Sequence, residues 1–263
     1  LVVREASRRV STRQTRVSAP RGLRMTPLDI DRVRAEFPGR PIDYHATLDS
    51  TMHAAAGCPL GTIVLAGEQT AGEGRHGHSW HSGSGGLYCS LVLEPAPVLT
   101  LALGLATQSA ILEATGITCD LRWPNDVMLG GRKVAGILVQ LVDGKAIAGI
   151  GINVNQTAFP ADLVQEATSL NTGTDGTFPD ATSILIALLR AIDNFTTEDR
   201  DSILRLFTHA SSYAAGRRVT VQQPGGVITG TTVGLDPSGF LIVRKDDGTD
   251  TLILAGGVRA AGS

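Results

Sequence analysis

Between Gly72 and Trp80 the chain reads Gly72-Glu73-Gly74-Arg75-His76-Gly77-His78-Ser79-Trp80. Its glycines bare the backbone to an anion, Arg75 adds a cation and the indole a flat apolar face, which together suit a nucleotide and its phosphates. A second group stands at Trp123-Pro124-Asn125-Asp126, where proline stops a strand's ladder and frees an amide and a carboxylate to project at the sheet's edge. A turn merely capped by Asn and Asp is the alternative. Lys133 then opens the apolar run Val134-Ala135-Gly136-Ile137-Leu138-Val139. A hairpin at Gly130-Gly131 would fold that lysine back toward Asn125 and Asp126, putting a cation and an acid in one neighbourhood. Gly136, and the pair in Gly149-Ile150-Gly151-Ile152-Asn153, mark places where a ligand or another strand comes close to the backbone.

Several chemistries are set aside on context. Gly72-x-Gly74-x-x-Gly77 fits a dinucleotide fingerprint, but it runs into Ser82-Gly83-Ser84-Gly85-Gly86 and then a strand, not a helix. There is no G-x-x-x-x-G-K-[ST] sequence and no G-x-S-x-G elbow. His76, His78 and His81 lie close in sequence, yet a glycine loop is a poor metal cage and no fourth ligand has matching spacing. What remains is a long glycine loop between two strands that orders around a ligand.

The elements that must hold these groups follow from pattern. Asp43–Leu48 reads as a strand, and Asp49-Ser50-Thr51 as the capped start of a helix ending at Gly57. Strands at 62–66 and 87–93 flank the glycine loop, and a helix runs from Leu99 to Thr115 before Gly116. Strands are expected at 120–123, 127–129, 133–142 and 146–154, making the sheet mixed or antiparallel, then helices near 183–195 and 198–211. From Gly216 short strands at 219–221, 229–233, 240–244 and 251–254, separated by Gly, Pro and Asp turns, describe a small β-barrel.

Composition bounds the answer. With 263 residues, 42% hydrophobic and 18% charged, the chain suits one sizeable domain plus a small one. A net charge of −2 offers no general attraction for nucleic acid or a membrane surface. No apolar run is long enough to span a bilayer. Cys58, Cys89 and Cys119 are too scattered for a disulfide framework, which favours a reducing compartment, the cytoplasm by default. The first 25 residues carry seven arginines against the single acid Glu5 and read as a disordered basic leader. An organelle address or an upstream extension of a gene starting at Met25 explains it equally well.

Taken in order, these segments resemble the biotin protein ligases. That family has Ser-Thr at a helix start, a loop of the form G-R-G-R-x-G-R followed by Trp, then W-P-N-D, K-x-A-G-I-L and G-I-G-x-N. Here stand Ser50-Thr51, Gln69 through Gly77 with Trp80, Trp123 through Asp126, Lys133 through Leu138, and Gly149 through Asn153, in register over residues 43 to 170. The resemblance implies an α+β catalytic domain of the class II aminoacyl-tRNA-synthetase-like, biotin–lipoate ligase type, a mixed sheet flanked by helices, with a small C-terminal SH3-like barrel. It divides the chain into a basic leader at 1–37, a catalytic domain at 38–213 and the barrel at 214–263. It also implies two steps: biotin and MgATP give biotinyl-5′-adenylate, and a lysine of a carboxylase's biotin carrier domain takes the biotin and releases AMP.

By the same resemblance Lys133, Arg75 and Asp126 are catalytic. Biotin is held by Ser50, Thr51, Gln69, Glu73, Gly74, Arg75, Lys133 and Gly136; ATP and the adenylate by Gly72, Arg75, His76, Gly77, Trp80, Asn125, Lys133 and Asn153. Trp80 would pack on adenine. Asp126 would orient the acceptor amine or take its proton, and Asn125 would support the phosphate or a magnesium ion that arrives with ATP, no protein cage being foreseen. The chain departs from the family at Glu73 and His78, both arginine positions, and at Met52, frequently Asn. The segment ahead of the first catalytic strand is too short and irregular for a winged helix, so no repressor activity and no nucleic-acid partner are expected; a homodimer is admitted. The competing readings are a lipoate or octanoate ligase of the same fold and a non-catalytic biotin-binding module.

Overall fold

A computed structural model describes residues 27–163, 166–173, 179–223 and 225–262. Residues 1–26 of the expected basic leader therefore lie outside the described residues. Its last stretch does not: α1 (Ile30–Glu36) is a capped helix, with Asp29 accepting from the Arg32 N–H and Val33 buried. The assignment of the whole of 1–37 to a disordered leader is corrected there. Arg32–Asp180 and Arg190–Glu36 ion pairs join α1 to the later helix α4 (Ala181–Phe195).

Seven strands form the main sheet: β1 (Ile42–Leu48), β2 (Ile63–Gln69), β3 (Gly86–Leu93), β4 (Asp120–Arg122), β5 (Asp126–Leu129), β6 (Arg132–Val142) and β7 (Lys145–Asn153), in the order β1-β2-β3-β7-β6-β5-β4. Only β1 and β2 are parallel, and the pairings from β2 through β4 are antiparallel, so the sheet is mixed as expected. One face is covered by α3 (Leu99–Thr115), α4 and α5 (Arg200–Ala210). α3 is apolar nearly all round and correspondingly buried, and it ends where Gly116 takes a left-handed φ of 72° that closes the helix.

Among the described residues the other face carries only the short helix α2 (Thr51–Ala56), packed through Met52 and Ala55 on Val64, Val92 and Ile147. Side chains alternate along a strand, so Ile147, Gly149 and Gly151 of β7 share this face with Gly136 and Leu138 of β6 and with Ser90 of β3. The register sets Ser90 beside Gly149 and Gly136 beside Gly151. Where apolar side chains would otherwise stand, these glycines leave a trough beside α2.

The C-terminal segment folds as β8 (Ala215–Gln223), β9 (Gly226–Leu235), β10 (Leu241–Arg244), β11 (Asp250–Ile253) and β12 (Gly257–Ala260). All are antiparallel, in the order β11-β10-β9-β8-β12. Among the described residues β11 and β12 are the outer strands, so the expected small barrel is seen as an open five-stranded sheet. It is fastened to the main sheet by the Trp123 indole N–H, which donates to the Gly239 carbonyl at 2.9 Å, and by an Arg259–Glu166 ion pair. Among the described residues no helix is long and apolar enough to cross a membrane.

Candidate active site

The glycine loop leaves β2, passes over the trough and returns into β3. Its base is drawn shut by the Trp80 N–H donating to the Gly72 carbonyl and the Gly74 N–H to the His78 carbonyl. Gly77, at φ 75°, turns the chain, and His76 shares the left-handed region at φ 57°. The loop lays the Trp80 indole across Gly136 and Gly151, where a Cβ on either glycine would run into the ring. The close approach inferred from these glycines is thus made by the protein's own tryptophan.

Two cavities meet under this loop. The first, about 40 Å³, is lined by Ser50, Thr51, Gln69, Glu73, Gly74, Arg75, Lys133 and Gly136, all eight residues assigned to biotin, together with Met52, Trp80 and Gly149. The second, about 420 Å³, is lined by Arg75, His76, Trp80, Asn125, Lys133 and Asn153 of the nucleotide set, joined by Arg122, Asp126, Phe159, Glu166 and the C-terminal Gly256 to Arg259. Gly72 and Gly77 line neither and act on the shape of the loop. Gly74, Arg75, Trp80, Asn125 and Lys133 line both cavities and so stand at their junction.

The inner end of the small cavity is a polar chain. Gln69 Oε1 accepts from both the Thr51 N–H (2.8 Å) and the Thr51 hydroxyl (3.0 Å), and its Nε2 donates to the Ser82 hydroxyl. Ser90 donates to Thr51 Oγ1 at 2.7 Å. Ser50, at the start of α2, is fully buried, makes no capping bond, and its Oγ has no partner among the described residues. The Trp80 indole N–H is likewise buried and unpaired. Buried polar groups are normally satisfied, so two orphans facing one trough point to a polar ligand.

At the junction Lys133 is held at both backbone groups: its N–H donates to the Glu166 carbonyl and its own carbonyl accepts from Thr168. Its Nζ lies 2.6 Å from Asp126 Oδ1 and 5.0 Å from the Trp80 ring centre. The hairpin at Gly130-Gly131 therefore returns the lysine to the acid. Asp126 Oδ2 receives Arg122 through Nη2 (2.7 Å) and Nε (3.1 Å). Burial alone would push the Asp126 carboxyl up, but the charges of Lys133 and Arg122 outweigh it and hold the group below the ordinary carboxylate range. Arg75 donates to Asn125 Oδ1 at 3.0 Å; burial pushes its guanidinium down, and the charge of Asp126 opposes that.

Some residues sit otherwise than expected. Asn125 has its amide spent, Oδ1 on Arg75 and Nδ2 on the Ile137 carbonyl, so it braces the arginine. Asn153 donates to the Thr168 carbonyl and accepts from Gln156, lining the larger cavity only from within the wall. Glu73 turns its carboxylate to His53 and to Gln140 (3.3 Å), and His53 in turn meets Asp49 at 3.1 Å. Ser82, Ser90 and Arg122 were not foreseen; Arg122 alone carried a signal, as a cation directly before the Trp123-Pro124-Asn125-Asp126 run.

Residues 42–156 match the Biotin/lipoate A/B protein ligase family and residues 215–258 the Biotin protein ligase C terminal domain. The Biotin--[acetyl-CoA-carboxylase] ligase of Mycobacterium tuberculosis is 32% identical over 257 residues, covering 88% of this chain and 94% of that protein. The chain belongs to the biotin protein ligase family. The Bifunctional ligase/repressor BirA of Bacillus subtilis is 34% identical over 241 residues, covering 82% of this chain and 73% of that protein. A solved biotin protein ligase from Aquifex aeolicus, in complex with biotin and ATP, superposes with a TM-score of 0.76 at 34% identity, covering 84% of this chain and all of that one. Biotin ligation is the activity these relatives share, and the lipoate reading falls with that finding.

Proposed function

We propose that this ligase joins biotin and ATP where its two cavities meet, with Lys133 as the cation common to both reacting groups. The observation that carries the reading is the fixed Lys133 at the junction, with the orphaned Ser50 hydroxyl on one side and the larger cavity on the other. The ureido group of biotin is a neutral set of donors and an acceptor that needs paired polar neighbours once buried, and Ser50, Thr51 and Gln69 offer them.

In the first step a biotin carboxylate oxygen bonds to the α-phosphorus of ATP as the bond to pyrophosphate breaks. Two anions must approach each other, so Lys133 and Arg75 act by neutralising charge in a site where water is scarce. In the second step the acceptor amine bonds to the acyl carbon, the bond to AMP breaks, and Asp126 takes the amine's proton. Asn125 acts through Arg75. Magnesium is implied with the triphosphate. Among the described residues no three His, Cys, Asp or Glu side chains stand together to hold a metal, and the Asn125 amide is already engaged. The residues do not fit a protein-held ion, and no step is derived through one.

The small cavity has room for only a few water molecules. Biotin therefore enters as Trp80 lifts from Gly136 and Gly151. The acceptor is proposed to be the carrier domain of a biotin-dependent carboxylase, and the free cysteines Cys58, Cys89 and Cys119 support a reducing, cytoplasmic setting. Incubating the ligase with biotin, MgATP and a recombinant carrier domain should give streptavidin-reactive carrier that is lost when the carrier's target lysine is replaced. Biotin that appears on the carrier equally without that lysine would overturn the assignment of the acceptor.

A further inference from the structure

The pairing Lys133–Asp126 raises a difficulty for the proposed chemistry. Lys133 must serve a phosphate and a carboxylate, yet in the free enzyme it sits on Asp126 at 2.6 Å, and both side chains are largely buried, 27% and 14% exposed. Drawing the lysine away would strand a desolvated carboxylate, which is costly unless another cation remains. Arg122 meets that need. It faces Asp126 directly across the β4–β5 hairpin, is itself only 19% exposed, and lines the larger cavity. Its Nε and Nη2 both fall on Oδ2, so the fork occupies one carboxylate oxygen and leaves Oδ1 to Lys133. When Lys133 moves, Oδ1 is open to the acceptor amine while Oδ2 stays paired.

We infer that Arg122 is a positioning residue: a standing counter-ion that lets Lys133 leave Asp126 for the substrates and keeps Asp126 ionised as the proton acceptor of the transfer step. This rests on the roles proposed above for Lys133 and Asp126. The charged groups facing Asp126 are Arg122 from β4, Lys133 from β6 and Arg75 from the glycine loop. Once Lys133 and Arg75 are engaged by substrate, Arg122 is the cation left to the carboxylate. Without it, Asp126 holds Lys133 more tightly in the first step and takes up a proton from solvent more readily in the second.

The test separates the two half-reactions in the full chain. Biotin-dependent pyrophosphate release reports adenylation; transfer is followed from purified biotinyl-adenylate to hydroxylamine as a simple amine nucleophile, as a function of pH. For Arg122→Met, adenylation kcat is expected to fall about tenfold with KM for biotin unchanged. The acid limb of transfer should move up by about one pH unit or more, the scale on which a neighbouring charge acts. Arg122→Lys keeps the charge, so its limb should stay near that of the wild type. Arg122→Gln is the second neutral variant should the Met protein not fold. Equal slowing of both halves with an unmoved limb, or a Lys variant shifted as far as the neutral ones, overturns the inference. Absence of any biotinyl-adenylate from the wild type would instead overturn the reading of the site beneath it.

Discussion

Ser50→Ala should make the free protein more stable and the enzyme a poorer binder of biotin. A serine at a helix start normally contributes about 1 kcal/mol by accepting from the first turn, and its loss would then destabilise. Ser50 makes no such bond, and its hydroxyl is fully buried without a partner among the described residues. An unsatisfied buried hydroxyl costs roughly 1–3 kcal/mol, less a little packing lost with the oxygen, so removing it should stabilise by about 1 kcal/mol. For a chain of this size that raises Tm by about 2–4 °C. Without the hydroxyl, one ureido group loses its hydrogen bond in the complex, weakening the biotin Kd by roughly tenfold. Thermal melts of the ligand-free protein and titration calorimetry with biotin measure both sides of this exchange. A lowered Tm together with an unchanged Kd would mean that Ser50 is an ordinary helix cap and that the trough beside α2 does not take the ureido group.

The remaining expectations concern the loop. Gly151→Ala places a methyl group in the trough, where the Trp80 indole N–H now lies, so the ring is displaced, with indole fluorescence shifted toward that of an exposed ring, and biotin should bind at least several-fold more weakly because the methyl occupies space the ligand needs. The loop is also tied down by His53 between Asp49 and Glu73. The hydrogen bond His53 donates to Asp49 and the charges of Glu73 and Asp49 outweigh partial desolvation and hold the His53 imidazolium above its ordinary range. A raised histidine pKa means the tie is complete at and below the ordinary value near 6.5 and is lost as pH rises through the raised one. Dissociation of biotinyl-adenylate, followed by Trp80 fluorescence, should therefore quicken on the alkaline side of pH 6.5, and in His53→Gln that pH dependence should vanish.

Much of this arrangement is legible in the sequence, for physical reasons that differ from element to element. The apolar run of α3 and its stop at Gly116 give the helix from about Leu99 to Thr115, because a left-handed cap there admits glycine readily. α1 escapes notice because Asp31, Arg32, Arg34 and Glu36 crowd a seven-residue helix with one buried residue, and the ion pairs that tie it to α4 join residues some 150 positions apart. β12 is hidden for a similar reason: Gly257-Val258-Arg259-Ala260 has little alternation of its own and is made a strand by pairing with β8. Within the site, the return of Lys133 to Asp126 follows from the Gly130-Gly131 turn. That Trp80 lies across Gly136 and Gly151, ahead of any contact with adenine, depends on a sheet face that only the register reveals. Nor does local sequence tell that residues 256–259 reach the larger cavity, since the contact is made by docking of the C-terminal sheet.

Formation of biotinyl-adenylate in the presence and absence of Lys133 is the most direct test of the site. Purified protein is incubated with MgATP and biotin, lipoate or no acid, and the acyl-adenylate is sought by mass spectrometry, with Lys133→Ala alongside. Biotinyl-adenylate from the wild type, none from lipoate, and a loss of at least about a hundredfold in a folded Lys133→Ala protein, as for removal of a preorganised charge-stabilising group, is the predicted result. Undiminished biotinyl-adenylate from Lys133→Ala would contradict the account, because the cation at the junction of the two cavities would then have no part in joining what they hold.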